Sequence, residues 1–150
     1  MEPIFDPAAE SDLDLILNFM RRLYVQDKMP FDESSARTTL AGIVRDRSLG
    51  RVWMIRVGSE PIGYMILTLG YSLEYRGRDA FVDEIFVDES RRRQGIGRKA
   101  MQFLEQACRD LEVRALHLQV ERPNLGAQEL YRKFGFVDHD RYLMTKHITP

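Results

Sequence analysis

Cysteine is nearly missing from this chain. Cys108 is the only one in 150 residues, so no internal disulfide can form, and a reducing compartment is expected. Excess charge of either sign is missing too. Lys and Arg number 22 against 23 Asp and Glu, a formal net charge of -1, which argues against nucleic acid or a membrane surface as a bulk partner. No apolar run is long enough to span a bilayer, and the opening "MEPIFDPAAESDLD" has neither the basic start nor the apolar stretch of an export signal. A cytoplasmic location is expected. His117, His139 and His147 show no ligand spacing, so no metal site is expected. Repeats, low-complexity tracts and linkers are also lacking, which predicts a single domain over residues 1–150. What is present, 44% apolar and 30% charged residues, suffices for one packed core.

Periodicity supplies the element order. After a short extended start at Ile4–Phe5, "SDLDLILNFMRRLYVQ" has Leu13, Ile16, Leu17, Met20 and Leu23/Tyr24 at helical spacing, with Ser11 or Asp12 as cap. Asp32 offers a second cap for a shorter helix whose apolar face is Leu40, Ile43 and Val44. "RVWMIRV" and "IGYMILTLG" flank a Gly/Pro turn and read as a hairpin. "YSLEYRGRD" reads as a polar loop and "AFVDEIFV" as the next strand. A helix to about Asp110 follows, then a strand "RALHLQV", a helix from about Gly126 to Phe134, and a last strand pair around Val137 and Tyr142–His147. The order β-α-α-β-β-β-α-β-α-β-β predicts one mixed α/β domain.

One stretch stands out, "VDESRRRQGIGRKAM" at residues 87–101. Gly95 and Gly97 let backbone N–H groups approach a ligand closely at a helix start, where the dipole favours an anion. Arg92, Arg93 and Arg98 add charge-assisted donors, so a pyrophosphate is the natural guest. The bland alternative is a glycine-rich turn with solvated arginines. A Walker A loop fails, because Gly97 is followed by Arg98-Lys99-Ala100. A dinucleotide fingerprint fits at Gly95, Gly97 and Ala100, with Glu121 as the ribose acid. It suffers from the seven residues Asp88 to Gln94 between strand and glycine, and from the lack of further βαβ units.

The segment "EIFVDESRRRQGIGRKAM" resembles the acyl-CoA-binding motif of the GNAT superfamily of N-acetyltransferases, through Arg92, Gly95 and Gly97 and the preceding Ile85-Phe86-Val87. "NLGAQELYRKFGF" resembles the family's second motif through Asn124, Ala127, Tyr131 and Gly135-Phe136. Arg93 departs from it, standing where many relatives carry glycine, as does Glu89, where proline is common. The resemblance implies a single-domain α/β GNAT-like fold: a mixed central sheet with a splayed strand pair and flanking helices. It implies acetyl-CoA as acetyl-donor cosubstrate. Ile85, Phe86 and Val87 would pair with the pantetheine arm, the Val87 N–H would polarise the thioester, and Arg92 with the loop Arg93, Gln94, Gly95, Ile96, Gly97 and Arg98 would hold the pyrophosphate. Asn124, Ala127 and Tyr131 complete the implied cofactor contacts, with Tyr131 protonating the leaving thiolate.

Asp83 and Glu84 interrupt an otherwise apolar strand, which is costly without partners or work. Strand alternation separates two neighbours, whereas a bulge turns both toward a cleft. The segment is similar to the diamine and thialysine acetyltransferase branch. There two adjacent acids divide between removing the amine proton and holding a cationic substrate; which of Asp83 and Glu84 is the base stays open. A solvated edge pair is the bland reading. Tyr24 and Asp27, with Asp83, fall in the family's substrate-side region. By itself Tyr131 reads equally as core, and Cys108 reads as packing. The expected function is acetyl transfer from acetyl-CoA to a primary amine by direct attack in a ternary complex, the acceptor a small amine or polyamine-like compound. Alternatives are a protein lysine or N-terminus, an aminoglycoside, or a non-catalytic CoA-binding sensor. The resemblance also suggests a homodimer through the final strands.

Overall fold

Helix α1, Leu13–Gln26, forms where the sequence repeats apolar residues at helical spacing, and it buries Leu13, Ile16, Leu17, Phe19 and Met20 along one side. Neither capping candidate closes it as expected. Asp12 holds the N-cap position without a side-chain cap bond, its carboxylate accepting instead from the Ala9 N–H at 2.9 Å. Helix α2, Glu33–Arg45, is capped by Asp32, whose side chain accepts from the Ser34 N–H. Both helices pack on one face of a sheet. Val52, Met54, Tyr64, Ile66 and Phe86 supply that face and join them in one apolar cluster.

The sheet is β1 Pro3–Pro7, β2 Gly50–Val57, β3 Glu60–Ser72, β4 Gly77–Val87 and β5 Ala115–His117, in that spatial order. All neighbours are antiparallel except β4 and β5, which are parallel. Helix α3, Ile96–Asp110, covers the other face. Its Phe103 meets Phe5 of β1 at 4.8 Å and Trp53 of β2 at 5.3 Å between ring centroids. Cys108 is buried on α3 as expected, its thiol pushed up to about 11 by burial and then by the Glu105 charge. No helix is long and apolar enough to cross a membrane.

The computed structural model describes residues 1–150, which fall into two compact units, Met1–Gln119 and Val120–Pro150. The first unit contains the whole sheet. In the second, α4, Leu125–Lys133, starts at Asn124, whose side-chain oxygen accepts from the Ala127 N–H at 3.1 Å. It ends where Gly135 takes φ 91°, letting the Phe136 N–H reach the Tyr131 carbonyl at 3.1 Å.

Three sequence expectations need correction. The loop "YSLEYRGRD" is mostly strand: Tyr71 pairs with Arg78 and Ser72 with Gly77, leaving only residues 73–76 as turn. Ladder bonds come from the backbone, so a polar sequence extends a hairpin that already has its register. Strand β5 is three residues long, not seven. The final strand pair is absent, and Val137, Tyr142, Leu143 and Met144 are exposed. Within that unit α4 is the sole regular element, and a segment without a neighbouring strand has no ladder to join.

Candidate active site

The site begins with a counting irregularity. Ile66 of β3 faces Glu84, but the next residue, Leu67, faces Val82, so Asp83 is an extra residue in β4. A regular strand would send Asp83 and Glu84 to opposite faces; the bulge brings both to the wall of one cleft. That cleft, about 280 Å³, lies between α1, α2 and the sheet, with Tyr24, Phe31, Leu40 and Ile66 among its walls.

The two acids differ in what they touch. Glu84 accepts from the Tyr24 hydroxyl at 2.6 Å and from the Tyr64 hydroxyl at 2.8 Å, one phenol on each oxygen. Burial raises its pKa. The two phenol bonds lower it by less, and the charges of Asp83 and Asp27 raise it further. Both phenols are pushed well above the usual tyrosine range, by burial first and by Glu84 next, so they remain donors. Asp83 has no such support. Its carboxyl is raised by burial in the cleft, although its outer edge is exposed, and no protein donor bonds it. One carboxylate is fastened and the other is open to a ligand.

Tyr24 lines the cleft against the acid pair. Asp27, the residue closing α1, does not line the cleft and acts on it only through charge. Sequence reasoning missed Tyr64. It is fully buried, and the signal was its hydroxyl: a phenol inside the apolar run "IGYMILTLG" needs a partner.

Beyond the bulge β4 has a free edge. Asp88 N–H donates to Ile62 O, so by alternation Glu84 and Phe86 face β3 with their backbone groups while Ile85 and Val87 face away. On that side β5 pairs only with Asp79–Phe81. The strands thus splay as expected, leaving the Ile85 and Val87 N–H groups along a seam. Gly63 makes the neighbouring approach of β3 possible: a Cβ there would lie 2.0 Å from the Phe86 carbonyl oxygen.

The arginine run divides its work. Arg92 Nε donates to Val87 O at 2.9 Å, its Nη2 to Gln26 at 2.7 Å, and its guanidinium lies 5.4 Å from the Phe86 ring centroid. Arg91 pairs with Glu60, and Lys99 pairs with Glu2. Arg93 and Arg98 form no ion pair. Gln94 donates to Ser90 O at 3.4 Å. Arg93 takes φ 62° and Gly95 φ 79°, so the departure at Arg93 falls on a left-handed position that glycine fills at less cost. Helix α3 has no side-chain cap, and its first hydrogen bond runs from Lys99 N–H to Gly95 O. The N–H groups of Ile96, Gly97 and Arg98 are therefore available at a positive helix end. These donors suit a pyrophosphate, and the seam suits an extended amide-bearing arm.

In the second unit, Asn124, Ala127 and Tyr131 share α4. The Tyr131 ring meets Phe136 edge-on at 5.9 Å, and burial raises its hydroxyl pKa, keeping it a proton donor.

A family model described as "Acetyltransferase (GNAT) family" matches residues 17–136. The chain belongs to the GNAT acetyltransferase family. Solved structures agree with this. An integron cassette protein from the mobile metagenome of Cole Harbour Salt Marsh is 32% identical, with 97% of this chain and 91% of that one covered and a TM-score of 0.85. A possible acetyltransferase from Clostridium difficile 630 is 19% identical over all of both chains, with a TM-score of 0.87. A predicted acetyltransferase with acetyl-CoA from Clostridium acetobutylicum is 15% identical over 97% and 96%, with a TM-score of 0.81. The last two show a shared fold. No protein of curated function matches the sequence. The mixed α/β fold of the family, with its five-stranded sheet, is the one described above.

Proposed function

We propose that this protein transfers an acetyl group from acetyl-CoA to the primary amine of a small compound, by direct attack in a ternary complex. The observation that carries the reading is the bulge at Asp83, which turns two acids into one cleft while leaving one of them unbonded. An amine reaches the site as an ammonium and must lose a proton before it can attack. Asp83 is the group that takes it, since its carboxylate is open and its raised pKa brings it nearer to neutrality. Glu84, held by Tyr24 and Tyr64, supplies fixed negative charge that holds the cation.

Acetyl-CoA, when bound, supplies the thioester. The N–H groups of Ile96, Gly97 and Arg98, together with Arg93 and Arg98, hold its pyrophosphate; the Ile85 and Val87 backbone groups hold the arm. The Val87 N–H donates to the thioester oxygen as charge develops there. Arg92 sets the position of that strand end through the Val87 carbonyl. The new C–N bond forms as the C–S bond breaks; Tyr131 gives its hydroxyl proton to the departing thiolate, and the second proton shed by the attacking nitrogen passes through water to restore the phenol.

Thiol release from acetyl-CoA, followed with a panel of amines, tests the reading. Asp83→Asn should lose turnover by about 10²–10⁴-fold near neutral pH and recover part of it as pH rises and free amine accumulates. A variant with the wild-type rate and pH profile would remove Asp83 as the base. Binding of acetyl-CoA without transfer to any amine would favour a sensor instead.

A further inference from the structure

The last turn of helix α1 reaches both halves of the reaction. Tyr24 donates to Glu84 on the acceptor side at 2.6 Å, and the Gln26 side-chain oxygen accepts from Arg92 Nη2 at 2.7 Å. Arg92 in turn donates from Nε to Val87 O at 2.9 Å. A strand residue presents its N–H and its carbonyl on the same side, so this bond holds the residue whose N–H faces the seam. The guanidinium also lies 5.4 Å from the centroid of the buried Phe86 ring.

Arg92 stands one residue before the loop whose donors suit a pyrophosphate, and a guanidinium is drawn strongly to phosphate. A bound pyrophosphate therefore competes with the Val87 carbonyl for Arg92. Few groups counter that pull. Arg92 forms no ion pair, and Gln26 is the only side chain that hydrogen-bonds it. Asp88, the carboxylate just past β4, is already occupied. It accepts from Arg22 Nη1 at 3.3 Å and from the Ser90 N–H and hydroxyl, each at 3.0 Å. Even the Phe86 ring is shared, since the Arg22 guanidinium lies 5.2 Å from its centroid.

We propose that Gln26 is a positioning residue for acetyl transfer: it keeps Arg92 on the Val87 carbonyl, and so keeps the Val87 N–H aimed at the thioester oxygen. A donor fixed in advance stabilises developing charge better than one that must reorganise during the reaction. Gln26 is exposed, so its role lies in geometry and not in stability. The inference rests on the reading of the Val87 N–H as the donor to the thioester.

Isotope-edited infrared spectra of bound acetyl-CoA, labelled at the thioester carbonyl, test it in the wild type, Gln26→Leu, Arg92→Met and the double variant. A hydrogen bond to a carbonyl lowers its stretching frequency, so the wild-type complex should absorb below free acetyl-CoA. Gln26→Leu should return part of the way to the free value, with a melting temperature close to that of the wild type. Arg92→Met should return at least as far. The double variant should go no further than Arg92→Met, because Gln26 acts through Arg92. A Gln26→Leu complex with the wild-type frequency overturns the inference and leaves the acetyl-transfer reading standing. So does a double variant shifted beyond Arg92→Met, which would give Gln26 another route. A shift that comes with a clear fall in melting temperature marks a structural role and overturns it too. A wild type that binds acetyl-CoA with no lowered frequency removes Val87 as the donor, and one that does not bind it removes the donor site; either result takes this inference with it.

Discussion

At the residue scale the two acids differ in what holds them. Asp83 is an exposed residue whose carboxyl is raised by partial desolvation in the cleft and is bonded to nothing, so its charge is a small, solvent-screened cost to folding. The folded carboxyl keeps its proton at pH values where the unfolded chain has already lost it. Stability therefore falls as pH climbs from the ordinary carboxylate range, about 4, through the raised value. Asp83→Asn should melt at a higher temperature than the wild type at neutral pH, with the gap closing near pH ~4. Glu84→Gln should follow the same pH trend, because burial raises that carboxyl too, but with a smaller gain: its two oxygens each accept a phenol, and the amide keeps one acceptor in place of two. Thermal melts across pH check both; an Asp83→Asn gap that is constant or negative would show that the carboxylate costs nothing. The acid pair was legible because charge inside an apolar strand is conspicuous. Its division of labour was not, because that depends on Tyr64, which is sixty-four residues into the chain and meets Glu84 only through the ladder between β3 and β4.

At the element scale, what the sequence made plain was periodic and what it concealed was paired. Helices α1, α2 and α3 appear where the apolar spacing puts them, since a helix satisfies its own backbone. Strands depend on neighbours, so β3 and β4 ran further than their apolar residues, β5 stopped short, and the last pair did not form. The bulge could be expected from two adjacent acids, but its register needed Ile66 and Leu67 opposite. Glycine tests that register. Gly63→Ala puts a methyl 2.0 Å from the Phe86 carbonyl oxygen, which has no flexible end to swing away. It should cost about 1–3 kcal/mol, or several degrees of melting temperature, and weaken acetyl transfer by displacing β4. Gly42→Ala, on α2 with nothing within 4 Å of the added methyl, should instead gain roughly 0.5–1 kcal/mol. Equal melting temperatures for the two variants would place the close approach of β3 and β4 elsewhere.

At the scale of the whole molecule, family and fold were readable from two short motifs, the glycine segment around Gly95 and the run from Asn124 to Phe136, both within the residues the family model matches. Acetyl-CoA should raise the melting temperature by ligand linkage, whereas NAD should not. The Ile85 and Val87 amides, which face the seam and not β3, should exchange hydrogen rapidly in the free protein and slow sharply with acetyl-CoA, while Glu84 and Phe86 change little. Protection of all four alike, or of none, would remove the arm from this edge. The seam has a consequence for solubility as well. An apolar strand end with unpaired N–H groups is a template for pairing with another chain, and Ile85-Phe86-Val87 is such a strand end. Cosubstrate lying along it would act as a chaperone in the plainest sense. Protein heated without acetyl-CoA should cloud earlier and at lower concentration, so the shelf life of this enzyme would be set by the same three residues as its chemistry.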